Sequence, residues 1–224
     1  MAVKLALTDE QKKAFDEILY GGSPLQKTAV GGKEFDPAEI LSGTGKVVLD
    51  LKQLIGEEYS TSALLVCSPS DTKTVLGGVA KFVSIYGKKP VPVLFANNYK
   101  TVLELLKDAG VENNFSVIDC VSQSIYPIKE EKEISFVESL RNLTQIQISI
   151  QDEIRKNKNS VFIFDSIDVL YLYHEEQIVQ KFLSSVVKML ESANRAVFFI
   201  SAKSDLQKKV VGCFEDKFVL KKYY

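Results

Sequence analysis

Helical periods and short apolar runs alternate along most of the chain. Lys46 to Gly56 spaces Val47, Leu49, Leu51, Leu54 and Ile55 along one helical face and stops at a glycine. SALLVCS, residues 62–68, is a continuous apolar run closed by polar turn residues, the pattern of a strand buried on both faces. Thr72 to Tyr86 then reads as a helix closed by Gly87, and Val91 to Ala96 as a strand with Pro92 near its start. Tyr99 to Ala109 is helical and ends at Gly110, Phe115 to Asp119 is a third strand, and Ser135 to Lys156 reads as a long helix. Val161 to Asp165, a helix over Glu175 to Ser192, and a strand over 196–201 follow, with Lys217 to Leu220 as an edge strand.

Strands alternating with helices predict an α/β domain, a mainly parallel sheet covered by helices on both faces, whose ligands belong at the C-terminal ends of the strands. The domain is expected over 46–224. Residues 1–45 read as an arm: a short amphipathic helix over Thr8 to Tyr20, then a Gly-, Ser-, Pro- and Lys-rich loop from Gly21 to Gly45.

Charge narrows the function classes. With 28 basic and 29 acidic residues the net charge is −1, so no long-range field gathers nucleic acid or anionic lipid. No run approaches the length of a membrane span, and no membrane insertion is expected. Cys67, Cys120 and Cys213 are widely spaced in apolar or strand-like surroundings, which suits reduced thiols and a cytoplasmic location. His174, the single histidine, has no cysteine near it in sequence and so suggests no structural metal; it reads as an exposed loop residue. The charged run Lys129 to Glu133 reads as a solvated loop.

The segment joining the first strand to the next helix is Cys67-Ser68-Pro69-Ser70-Asp71-Thr72-Lys73-Thr74. A phosphate loop, G-x-x-x-x-G-K-[ST], occupies this position in nucleotide-binding sheets, where backbone N–H groups cradle phosphates, Lys reaches them and Ser/Thr serves magnesium. Lys73 and Thr74 stand at the motif's spacing, but Cys67 replaces the first glycine and Thr72 the second. A forced left-handed residue costs roughly 1–2 kcal/mol, and a β-branched Thr72 suffers most. Asp71 adds a carboxylate that, about 4 Å from a phosphate charge, is repelled by about 4 kcal/mol at an effective dielectric near 20. Lys73 and Thr74 also read simply as polar residues in a helix's first turn. Gly43-Thr44-Gly45-Lys46 is a decoy, since Ile40 holds the first-glycine position and no apolar strand precedes it.

From Lys46 to Leu220 the chain resembles the RecA superfamily, in particular KaiC-like P-loop domains such as the small archaeal ATPase-like proteins. The resemblance is carried by the strand-loop-helix around Lys73-Thr74, by VLFANNYKTVLELLKDAGVENNFSVIDCVS, and by VFIFDSIDVLYLYHEEQIVQKFLSSVVKML, in that order and spacing. It implies a degenerate Walker A motif with Ser68, Ser70, Thr72, Lys73 and Thr74 as the nucleotide-binding residues. It also implies magnesium held by Thr74 and Asp165 if ATP or ADP binds, Asp165 being the Walker B position. KaiC-like enzymes carry a carboxylate at the end of the strand after the P-loop helix, whereas this chain has Asn97-Asn98, and an amide cannot take a proton from water at neutral pH. Asp165 also reads as a residue that caps the strand end or a turn. The expectation is an inactive or very slow ATPase homologue that acts as a regulatory protein-interaction module, pairing with a protein partner or with itself and still sensing nucleotide; the alternative is an active ATP-binding enzyme with an atypical P-loop. No catalytic residue is assigned.

Overall fold

The computed structural model of the chain describes residues 43–55, 62–125, 131–202 and 216–219. The expected helix over Thr8 to Tyr20, the Gly21-to-Ser42 part of the loop, Lys129 and Cys213 lie outside the described residues. Among the described residues seven strands form one sheet: β1 (Ser62–Val66), β2 (Lys89–Leu94), β3 (Val117–Asp119), β4 (Ile134–Phe136), β5 (Ser160–Phe164), β6 (Val197–Ser201) and β7 (Asp216–Val219). Their order is β4-β3-β2-β5-β6-β1-β7 and every pairing is parallel.

Among the described residues five helices cover it: α1 (Gly43–Ile55), α2 (Thr72–Ile85), α3 (Tyr99–Asp108), α4 (Leu143–Lys156) and α5 (Glu176–Ser192). Successive strand side chains point to opposite faces, so a strand sandwiched between helical layers must be apolar throughout. Ala63, Leu65, Ile163, Phe198 and Ile200 pack with Val47 and Leu51 of α1, Leu76 and Phe82 of α2, and Leu106 of α3. Leu64, Val66, Phe162, Phe164 and Phe199 pack on the other face with Ile146 and Ile150 of α4 and with Phe182, Leu183 and Val186 of α5. Gly87 at φ 69° and Gly110 at φ 75° follow α2 and α3 in the left-handed conformation that ends a helix, as their spacing predicts.

The strand expected from Val91 starts two residues earlier and contains two prolines, Pro90 and Pro92, in the interior of the sheet. Alternate residues of a strand direct their N–H and C=O groups to alternate neighbours. Val93 O accepts from Asp165 N at 3.1 Å on the β5 side, while Pro90 O and Leu94 O accept from Ser116 N and Cys120 N, each at 3.2 Å, on the β3 side. Both prolines therefore share one parity, and both missing donors fall toward β3. The pairing reflects this: β2 matches β5 at five positions, Lys89 to Val93, and β3 only at Val93 and Leu94.

The long helix expected from Ser135 is shorter. Ile134–Phe136 forms β4 on the edge beside β3, and α4 begins only after Asn142, whose side chain accepts from Gln145 N at 3.0 Å. Three alternating residues had merged with the following helical period, although Asn142 is an N-cap signal in its own right. Helix α1 includes Gly43-Thr44-Gly45-Lys46 in its first turn and lies on α2 where Gly78 leaves room for Val47.

Candidate functional site

The helix leaving β2 packs on one face of the sheet and the helix leaving β5 packs on the other, yet β2 and β5 are neighbours. Such a reversal opens a crevice at the C-terminal ends of the two strands, the place where open α/β sheets bind ligands. Asp165 stands directly beyond β5 in this crevice and is 2% exposed. Its Oδ1 accepts from the backbone N–H groups of Phe95 and Ala96, the latter at 3.2 Å. Its Oδ2 accepts from Asn97 N at 3.0 Å and from Asn97 Nδ2 at 2.8 Å. Burial pushes its carboxyl up to about 6, against the four N–H donors that favour the ionised form. The next residue, Ser166, is held at φ 45° and ψ 58°, left-handed for a residue with a Cβ. Asn98 caps α3 by accepting from Thr101 N at 3.0 Å.

The turn after β1 takes a different course from a wrapped phosphate loop. Pro69–Asp71 is one 3-10 turn that runs straight into α2, with Ser68 extended and both Asp71 and Thr72 right-handed. The strain expected at Thr72 does not arise, because none of these residues has a positive φ. Ser68 Oγ lies 2.8 Å from Ser70 Oγ and donates to Asp71 Oδ2 at 2.8 Å, while Thr72 Oγ1 donates to Pro69 O at 3.1 Å. Asp71 is buried, Lys73 is exposed and Thr74 is half-buried on α2. The structure thus brings Ser68, Ser70 and Asp71 together in one turn. Asp165 belongs to the neighbouring crevice, two strand spacings or about 10 Å along the sheet.

Two further carboxylates at this edge went unread in the sequence. Asp119, at the end of β3, accepts from Tyr99 N at 2.8 Å, Ser122 Oγ at 2.6 Å, Val121 N at 2.7 Å and Ser122 N at 2.8 Å. Asp168 accepts from Ser201 Oγ at 2.6 Å and Ala202 N at 2.7 Å, tying the segment beyond β5 to the end of β6. The string Asp119-Cys-Val-Ser122 is a readable turn signal. Asp168 carries none, because its partners lie 33 and 34 residues away. The thiols beside these groups stay protonated: burial, then Asp71 and Asp168, push Cys67 up to about 12, and burial, then Asp119 and Asp165, push Cys120 well above the usual thiol range.

One loop reading changes. His174 is half-buried, with Nε2 2.9 Å from Leu140 O. The described part of the charged run, Glu131 to Glu133, is an exposed turn as expected; Glu131 accepts from Tyr99 Oη at 2.9 Å, and Glu133 pairs with Lys89 at 3.3 Å, which also lies 3.6 Å from Glu153. Among the described residues no group of three or more His, Cys, Asp or Glu side chains has the arrangement of a metal site, and no helix is long and apolar enough to cross a membrane.

No family model matches the chain, and no curated protein matches it. Among solved structures it is similar to a KaiC-like protein from the hyperthermophilic archaeon Pyrococcus horikoshii OT3, with a TM-score of 0.52 at 15% identity over 72% of this chain and 71% of that one. At that identity the likeness is one of fold alone, an α/β domain with an all-parallel sheet.

Proposed function

We propose that this chain is a catalytically silent RecA/KaiC-like module, with a degenerate Walker A turn, that works through protein contacts with a second copy of itself or with an active ATPase. The observation that carries the reading is Asn97. It stands at the end of β2, where the resemblance calls for the carboxylate that activates water, and its amide donates to Asp165 instead. An amide accepts no proton at neutral pH, so the pair supplies no general base. The β1–α2 turn supports the same reading, since it presents neither a left-handed loop nor a glycine for close phosphate approach.

The rim of the same sheet edge supplies contact surface. Ile125 beyond β3 is 66% exposed, Leu172 beyond β5 is 72% exposed, and Tyr173 and Ile178 follow. Apolar side chains left in water near one edge suit a protein interface better than a small anionic ligand.

Phosphate release from ATP with millimolar magnesium tests the silence. The expected rate equals that of buffer, whereas magnesium-dependent turnover abolished by Lys73→Ala would establish an ATP-binding enzyme in which Lys73, Thr74 and Asp165 act. Light scattering tests the contact: self-association gives a mass above the 25.0 kDa of one chain, weakened by Leu172→Asp. A strict monomer that also captures no RecA/KaiC-like ATPase would refute it.

A further inference from the structure

We infer that Asp165 is an internal clasp across the β2–β5 crevice, and that this sheet edge is closed by its own carboxylates and holds no magnesium–nucleotide. The inference rests on the site of the reading above but not on its silence: a chain that binds MgATP without turning it over would overturn the clasp and leave the silent module standing.

An ionised carboxylate offers about four lone-pair sites. Asp165 receives four N–H donors, two on each oxygen. Three of them are consecutive backbone amides, so the chain from Phe95 to Asn97 curls around the carboxylate. Magnesium keeps several waters and is held when those waters donate to carboxylate oxygens, or when an oxygen binds the ion directly. Either mode requires lone pairs, and here the surrounding N–H groups turn their positive ends toward the same place a cation would occupy.

The arrangement recurs. Asp119 is also matched four for four, by Tyr99, Val121 and both donors of Ser122. Asp168 takes one donor on each oxygen from Ser201 and Ala202. Three buried aspartates at the ends of β3 and β5 thus fasten neighbouring chain exits, and no salt bridge among the described residues reaches any of them. On the phosphate side, Pro69 offers no N–H and Asp71 places a further buried carboxylate inside the turn.

The wild-type protein gives the first test. Manganese prefers the same oxygen donors as magnesium, and its unpaired electrons broaden nearby amide signals in a nitrogen-15 spectrum. With manganese and ATP together at up to millimolar concentration, the signals of Thr74, Phe95, Asn97 and Ser166 are expected to broaden no more than with manganese alone. Saturable, ATP-dependent broadening centred on these four would overturn the inference. The second test is Asp165→Asn. Hydrogen exchange at Phe95, Ala96 and Asn97 should quicken by about tenfold or more, about one hydrogen bond's worth, with Tyr99, held by Asp119, less affected. Unchanged protection at all three amides would equally overturn it. Should the variant not fold, the manganese test on the native chain still decides.

Discussion

Two adjacent glycines in α2 are expected to respond in opposite directions to the same substitution. A Cβ on Gly78 would overlap Val47 Cβ and stand 2.5 Å from its Cγ1 and 3.1 Å from the Thr44 carbonyl oxygen, all on α1. Carbon atoms pack at about 3.5–4.0 Å, so α1 must retreat by about 1 Å or more, loosening Val47 and Leu51, both fully buried. Overpacking of this kind costs about 1–3 kcal/mol, and a backbone contact relaxes less than a side chain. Against that, alanine gains about 1 kcal/mol over glycine inside a helix. A Cβ on Gly77 meets only the Leu105 side chain, at 3.2 and 3.3 Å, which can turn aside. Gly77→Ala should therefore be neutral or stabilising, and Gly78→Ala destabilising. A net difference of about 2 kcal/mol corresponds to about 4–8 °C in melting temperature for a domain of this size. Urea unfolding followed by circular dichroism measures the difference. A midpoint for Gly78→Ala at or above that of Gly77→Ala would refute the α1–α2 packing argument.

Three further outcomes are expected. Asp165, raised from 3.8 to about 6 by burial, binds its proton more tightly in the folded chain; the stability this contributes is fully present below pH 3.8 and lost as pH rises through about 6. That loss is on the order of 3 kcal/mol; urea midpoints between pH 4 and 7.5 should show it in the wild type and lose it in Asp165→Asn, and identical profiles would contradict the assignment. Ser166 at φ 45° should tolerate glycine with a gain of about 0.5 kcal/mol but lose more than about 1 kcal/mol with valine, and a thermal melt ranking valine above serine would exclude the left-handed backbone. Lys89→Met strands Glu153, whose side chain is 9% exposed, and should cost about 2 kcal/mol or more; adding Glu153→Gln should recover part of it, and no recovery would assign the loss to packing.

The parallel sheet was legible because its chemistry is local and repeated. Strands such as Leu64-Leu65-Val66 and Val161-Phe162-Ile163-Phe164 are apolar at every position, since both faces are covered. Gly87 and Gly110 mark helix ends because a left-handed residue is needed there. What escaped depends on partners distant in sequence. Nothing within KPVPVL tells that both prolines face the same neighbour, the circumstance that lets them sit inside a sheet. Strand β4 is only three residues long and is held by its pairing with β3 rather than by its own composition.

The site divides along the same line. Asn97 in place of a carboxylate and the two absent glycines are departures from a motif, and such departures are visible in one sequence. What the carboxylates do is not visible, because a carboxylate's role is set by what donates to it. Asp165 reads as a metal position from its place after VFIF, yet its four donors come from residues 95–97, about 70 positions earlier. Without partners Asp165 would be a buried charge, and desolvation would favour an apolar residue in its place. It instead receives four donors, as does Asp119 at the end of β3. An aspartate with a full set of internal donors fastens the end of β2 to the end of β5, which is why we infer that the residue most suggestive of a ligand argues against one.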